Sequence, residues 1–316
     1  MFAIGVDIGG MTIKVGLVDG NGKIVAENRR KTGETAEIAM ENTAAQIKEL
    51  LDGYNLSVND IAGIGVGCPG LIDSANGIVE RNSNMKWDKF PLVAVLKKHF
   101  DTEILISNDA NVAALGETIF GCAKNYENAI MLTLGTGVGG GVIINNKIYE
   151  GGFSQGAELG HTVVKVGGEK CGCGRRGCLE AYASATGLIR MTKEEMLKNK
   201  ESDMWRMVDN DIEKVDGKTA FECSKTGDAS AKKVVKKFVT YLSEGMMNFM
   251  NVFRPQAFIL GGGVSAQGKY LTDKIVKYCK KRYYGYKHAK APEIVVATLG
   301  NDAGIIGAAS LVLNKA

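Results

Sequence analysis

Three of the seven cysteines in this 316-residue chain fall within eight positions, in the stretch C-G-C-G-R-R-G-C-L-E that begins at Cys171. Thiolates at such spacing can share a soft cation, and zinc takes four thiolate or imidazole donors in a tetrahedron. The nearest candidate for a fourth donor is His161, ten residues upstream in G-A-E-L-G-H and one of three histidines in the chain. Cys171, Cys173, Cys178 and His161 would leave no open position for water, which makes such a site structural rather than catalytic. The plain alternative is a reduced turn without metal; a disulfide would leave one thiol over. Cys68, Cys122, Cys223 and Cys279 are scattered and read as small core hydrophobes.

A second kind of chemistry is suggested by glycine loops. D-I-G-G-M-T-I-K (7–14) joins two apolar runs. Paired glycines let backbone N–H groups approach a phosphate, and a carboxylate such as Asp7 at a strand end can hold magnesium, often through water. Alone, such a turn is equally a hairpin. L-G-T-G-V-G-G-G (134–141) repeats the arrangement, and two such loops in one chain are harder to dismiss. L-G-G-G-V-S (260–265) lies between a strand and a helix, where its glycines either admit a base or ribose or let the helix pack closely. No stretch fits the G-x-x-x-x-G-K-[ST] phosphate loop. Asn108 and Asp109 end a strand and open a helix. They are either capping residues or, for Asp109, a general base for an attacking alcohol. The helix N-terminus is expected to keep Asp109 ionised.

The elements that must carry these residues recur. Residues 2–6 and 13–19 read as strands around the first loop, 35–51 as an amphipathic helix, 61–67 and 103–107 as strands, and 108–117 as a capped helix. Near residue 128 the pattern begins again: strand, glycine loop, strand, a helix over about 228–251, the strand 257–262, a helix over about 266–282, the strand 293–298 and a last helix from about 302. The expected fold class is α/β, with two halves facing each other across a cleft. No Pro- or Ser-rich linker separates them.

Composition excludes several classes. The net charge of +4 is small and spread out, which leaves no footprint for nucleic acid. K-K-V-V-K-K (232–237) and K-K-R (280–282) read as solvated helix faces. No apolar run is long enough to span a membrane, and the N-terminus reads as a strand rather than a signal peptide. A cytoplasmic location is expected, where clustered thiols stay reduced and more often bind metal than pair.

D-I-G-G…K, G-C-P-G, N-D-A-N, L-G-T-G-V-G-G-G, G-A-E-L-G-H, C-G-C-G-R-R-G-C-L-E and L-G-G-G-V-S occur in the order seen in the ROK family of sugar kinases. The chain resembles that family essentially end to end, and within it the bacterial glucokinases most. The resemblance implies an actin-like ATPase (ribonuclease H-like) fold of two α/β domains around a central cleft. The smaller domain would comprise residues 1–112 with the C-terminal helix 302–316, the larger 113–301 with the zinc loop. It implies ATP-dependent phosphorylation of a hexose, glucose first, at the 6-hydroxyl, with Mg2+ and a structural Zn2+. N-acetylmannosamine, fructose, mannose and allose are the alternative sugars, and a sugar-responsive regulator without catalysis is the alternative class. A regulator of this family carries a helix-turn-helix segment, for which the phosphate loop starting at Asp7 leaves no room here. Asp109 is implied as the base. Gly70, Asn84, Asn108, Asp109, Glu158, His161 and Glu180 are implied as sugar ligands, with His161 also on the metal beside Cys171, Cys173 and Cys178. Asp7, Gly9, Gly10, Thr12 and Lys14 match the first phosphate loop, Thr136 and Gly137 the second, and Gly262 and Gly263 the adenosine loop. A homodimer or dimer of dimers is the family expectation. One departure stands out: Met11 occupies the place of the family's threonine.

Overall fold

A computed structural model describes residues 1–82 and 85–313. In chain order the elements are β1 (Phe2–Ile8), β2 (Thr12–Asp19), β3 (Ile24–Lys31), α1 (Ala36–Gly53), β4 (Ile61–Cys68), β5 (Leu71–Asp73), β6 (Ile78–Asn82), β7 (Trp87–Phe90), α2 (Leu92–Leu96), β8 (Ile104–Asn108) and α3 (Asp109–Ile119). They continue with β9 (Ala129–Leu134), β10 (Val138–Ile144), β11 (Lys147–Ile148), α4 (Glu180–Ala183), α5 (Ala185–Lys198), α6 (Asp203–Met207), α7 (Thr219–Thr226) and α8 (Ala229–Phe253). Last come β12 (Ala257–Gly261), α9 (Lys269–Cys279), β13 (Glu293–Val296) and α10 (Ala303–Leu313).

The chain forms two compact units. The first holds Met1–Ile130, Gly141–Ala157 and Thr298–Ala316; the second holds Met131–Gly140 and Glu158–Ala297. The first unit is built on a sheet of order β3-β2-β1-β4-β8. β1–β2 and β2–β3 are antiparallel hairpins, whereas β1–β4 and β4–β8 are parallel. The parallel strands are apolar and nearly continuous because both faces are covered. Helix α10 reaches one face closely because Gly5 and Gly65 lie beneath it. A Cβ at either would stand 2.0 Å from the Ile305 carbonyl oxygen or 1.7 Å from that of Ala308. A small antiparallel sheet, β5-β6-β7, sits in the same unit.

The second five-stranded sheet has the order β11-β10-β9-β12-β13, the same relative order of strands as the first. The recurrence legible in the sequence is therefore a repeated topology. Within the second unit, α8 packs against α4, α5, α7 and α9. Its period is the expected one: Val234, Val235, Phe238 and Val239 are buried, while Lys232, Lys233, Lys236 and Lys237 face solvent. The helix expected over 266–282 is shorter. Gly268, at φ 55°, breaks the chain after a 3-10 turn at Gly263–Gln267, and α9 starts only at Lys269.

Candidate active site

The first glycine loop is a tight hairpin. The β1–β2 register pairs Asp7 with Lys14 across the ladder, and Lys14 Nζ lies 3.1 Å from Asp7 Oδ2. Lys14 also donates to the carbonyl of Asn301, which ties the loop to the chain entering α10. Gly9 N–H donates to the Thr12 carbonyl at 2.9 Å, and the Thr32 hydroxyl donates to the Gly9 carbonyl at 2.6 Å. Met11 is 83% exposed at the tip, and Thr12 is exposed beside it.

Asn108 and Asp109 lie where β8 becomes α3. Asn108 is the N-cap: its Oδ1 accepts from Ala110 N–H at 2.9 Å, and its Nδ2 donates to the Gly70 carbonyl at 3.1 Å. Capping and a contact to the Gly70 turn thus coincide in one side chain. Gly70 has φ 108°, and a Cβ there would stand 2.4 Å from the Arg81 carbonyl oxygen, so no other residue fits. Asn82, buried at the end of β6, supports the same turn by donating to the Pro69 carbonyl at 2.7 Å. Neither Asn82 nor Thr32 stood out in the sequence. Asn84 falls outside the described residues.

Asp109 opens α3 and accepts from Ala110 N–H at 2.9 Å. Asp109 is solvent-exposed, yet neighbouring protein partly desolvates its carboxylate. Burial is the largest influence on its ionisation and raises its pKa; the Ala110 N–H opposes this, and the negative charge of Asp7 adds to it. The backbone N–H at the helix start favours the ionised form, as expected there, while desolvation acts against it and is the larger of the two. Burial drives the Cys68 thiol far above its ordinary value, and the negative charges of Asp109 and Asp7 add to this in that order. The two acidic groups thus share one neighbourhood of the first unit.

In the second unit the β9–β10 loop closes on itself through Gly135 N–H to the Gly137 carbonyl, 3.0 Å. The start of α5 backs it: Ala185 N–H donates to the Gly135 carbonyl and the Thr186 hydroxyl to that of Thr136. Glu180 Oε2 accepts from Val138 N–H at 3.1 Å, and a Cβ on Gly137 would stand 2.4 Å from that oxygen. The third loop separates its glycines by role. Gly262, at φ 79°, lies against the backbone of Leu134, where a Cβ would come within 2.7 Å; Gly263 faces open space. Packing explains the first, and the second is available to a ligand.

His161, Cys171, Cys173 and Cys178 come together, with ligand atoms all within 4.8 Å of one another. Cys173 and Cys178 Sγ are 3.7 Å apart, and Cys171 Sγ lies 3.6 Å from His161 Nδ1. Tetrahedral zinc, with Zn–S of about 2.3 Å and Zn–N of about 2.0–2.1 Å, sets two thiolates about 3.8 Å apart and a thiolate and imidazole nitrogen about 3.6 Å apart. The donor set fits. Burial pushes the Cys171 thiol up to about 12 and raises that of Cys178, while the Arg175 N–H lowers Cys173. Thiolates this close need a cation to persist together. Glu180 Oε1 lies 3.3 Å from Cys171 Sγ and 4.0 Å from His161 Nδ1, so the cluster and the β9–β10 loop share one carboxylate. Glu158 immediately precedes the 3-10 turn Leu159–His161. Tyr182, buried and stacked on Tyr241 at 4.0 Å, anchors the cysteine loop by accepting from Glu169 N–H at 2.7 Å.

Two sheets of one topology, each led by a glycine-rich hairpin, define an actin-like ATPase fold of the kind found in sugar kinases. Residues 3–315 match the ROK family, and the chain belongs to it. It is 37% identical to a glucokinase of Halalkalibacterium halodurans, over 98% of this chain and 94% of that protein. A Streptomyces griseus ROK glucokinase, solved in complex with glucose and AMPPNP, superposes with a TM-score of 0.80 at 34% identity, covering 98% of this chain and 99% of the other. A xylose repressor of Bacillus spizizenii is 31% identical over 99% of this chain and 77% of its own length. Among the described residues, no helix is long and apolar enough to cross a membrane.

Proposed function

We propose that the chain transfers the γ-phosphoryl group of ATP to the 6-hydroxyl of a hexose, with glucose as the preferred sugar and Asp109 as general base. The observation that carries this reading is the placement of Asp109 at the first position of α3, beside an Asn108 locked to the Gly70 turn, in a member of a sugar-kinase family. In the step, the sugar oxygen attacks phosphorus, the bond from phosphorus to the bridging oxygen of ADP breaks, and Asp109 takes the hydroxyl proton. A base whose pKa lies above that of an ordinary carboxylate is a stronger proton acceptor once ionised. Asn108, Glu158, His161 and Glu180, with Gly70, offer donors and acceptors for the remaining hydroxyls. A site built this way discriminates against sugars that lack one of them. Asn84 is assigned to the same set from sequence alone.

Gly9, Gly10, Thr12 and Lys14 in the first loop and Thr136 and Gly137 in the second are assigned to the phosphates, and Gly262 and Gly263 to the adenosine. Asp7, in the first loop, would supply the hard oxygen donor that Mg2+ prefers; bound with ATP, the ion would neutralise phosphate charge. His161, Cys171, Cys173 and Cys178 would hold Zn2+, which supplies a cross-link and no open coordination position. His161 Nδ1 faces the thiols, so Nε2 is the nitrogen left for a sugar hydroxyl. We assign the enzyme to the cytoplasm and to a homodimer, the latter open to light scattering.

The test is a coupled ADP-release assay over hexoses and N-acetylhexosamines, with sugar binding measured in parallel. Glucose-dependent ADP release is expected. The repressor relative favours a second reading, a sugar-responsive regulator. Sugar binding with no ADP release for any sugar would establish that reading and remove the kinase.

A further inference from the structure

The first unit contains a carboxylate that the proposed chemistry does not use. Glu150 follows β11 and opens the loop that runs to Glu158. Its Oε1 accepts from the Ser107 hydroxyl at 2.5 Å, and its Oε2 accepts from the hydroxyl of Ser74. Its backbone carbonyl accepts from Gly156 N–H at 2.7 Å, which closes the intervening loop on itself. A Cβ on Gly156 would stand 2.9 Å from that carbonyl oxygen, so the closure is tight. Ser107 is 2% exposed and immediately precedes Asn108 and Asp109. Ser74 follows β5, the strand next after Gly70. One residue therefore grips the strand end that carries the base, the hairpin that follows the Gly70 turn, and the loop that leads to Glu158. Ser74, Ser107 and Glu150 border a cavity of about 490 Å³ along with Leu105 and Lys147. With open volume on one side, dense packing alone does not fix this junction, and the hydrogen bonds carry more of its order.

We propose that Glu150 is a positioning residue: through Ser74 and Ser107 it sets the placement of Asn108 and Asp109, and through its carbonyl the approach of the chain to Glu158. This rests on the kinase reading given above. Small displacements of a reacting group cost much rate, roughly 10²-fold for about 1 Å. Glu150→Ala is thus expected to lower kcat/KM for the hexose by about 10–100-fold while the KM for ATP stays within about 2-fold. Glu150→Gln keeps two polar atoms in place, and a serine hydroxyl can accept from the amide as well as donate to the carbonyl. It is expected to recover most of the loss. Ser107→Ala should reproduce a larger share of the Glu150→Ala defect than Ser74→Ala, because Ser107 adjoins the base.

The experiment is steady-state kinetics in both substrates for native protein, Glu150→Ala, Glu150→Gln, Ser74→Ala and Ser107→Ala, with a thermal melt of each. If Glu150→Ala does not fold, Glu150→Gln against Ser107→Ala carries the test. A hexose-selective loss restored by glutamine supports the assignment. Native hexose kinetics in Glu150→Ala or Ser107→Ala would overturn it, as would equal losses for hexose and ATP that glutamine does not restore. Native protein that turns over no hexose would instead remove the kinase reading, and this assignment with it.

Discussion

The two units hold their shares of the proposed site by different means. In the first, Asp109 stands at the junction of a buried strand and a helix, and a fully buried carboxylate, Glu117, clamps the chain on its return to α10. Glu117 accepts from Cys122 N–H at 2.9 Å, Thr298 N–H at 2.8 Å, Leu299 N–H at 2.7 Å and the Thr298 hydroxyl at 3.2 Å. In the second, Glu158 and His161 begin, and Glu180 at the start of α4 ends, a stretch of short turns and isolated bridges that contains the cluster of three thiols and an imidazole. Hydrogen bonds formed on folding organise the first; on the proposed reading, a cation bound by reduced thiols would organise the second. Asp109 should therefore keep its place under conditions that dismantle the loop carrying Glu158 and His161.

The largest effect expected breaks the first side alone. Asp109→Asn should lower kcat by about 10²–10⁴-fold while sugar affinity, measured by calorimetry, stays near native. Full activity in that variant would remove Asp109 from the mechanism. Next in size is the metal. Native protein should carry one zinc per chain by elemental analysis. Cys173→Ser should lose it, melt at least about 5 °C lower, and bind sugar about 10-fold more weakly with ATP affinity little changed. A zinc-free protein with native melting and sugar binding would erase the contrast between the units. Glu117→Gln tests the opposite side. It turns an amide N–H toward backbone donors, and should cost about 1–3 kcal/mol of stability with the zinc content unchanged.

A smaller effect follows from the ionisation of Asp109. Its pKa is raised in the folded state, so the native protein holds that proton more tightly than the unfolded chain does. The contribution to stability is full below the unfolded value, about 3.9, and is lost as pH rises through the folded value. Asp109→Asn should therefore melt above native protein at neutral pH and lose that advantage as pH falls toward about 4. In native protein the acid limb of turnover should lie above that of an ordinary aspartate. The smallest effect concerns Met11: Met11→Thr should lower the KM for ATP by about 2–10-fold, the worth of roughly one hydrogen bond.

What the sequence made legible was local. Strand–glycine–strand units showed in D-I-G-G and L-G-T-G-V-G-G-G because tight loops need glycine wherever they occur. The cysteine cluster showed because its thiols lie within eight positions and the imidazole only ten residues away. Glu117 and Glu150 gave no signal, since their partners are up to 182 and 76 residues distant. The strands β5, β6 and β7 are three to five residues long, too short for a two-residue period to declare itself. The direction of the Asp109 pKa shift was not legible for a related reason: the helix start is written in the sequence, but the protein around the carboxylate is not.

The decisive distance runs from the Asp109 carboxylate to the 6-hydroxyl oxygen of glucose in a crystal of the protein with glucose and a non-hydrolysable ATP analogue. A hydrogen bond of about 2.6–3.2 Å is expected there. Glucose bound with its 6-hydroxyl beyond reach of Asp109, directly or through one water, would rule out Asp109 as the base.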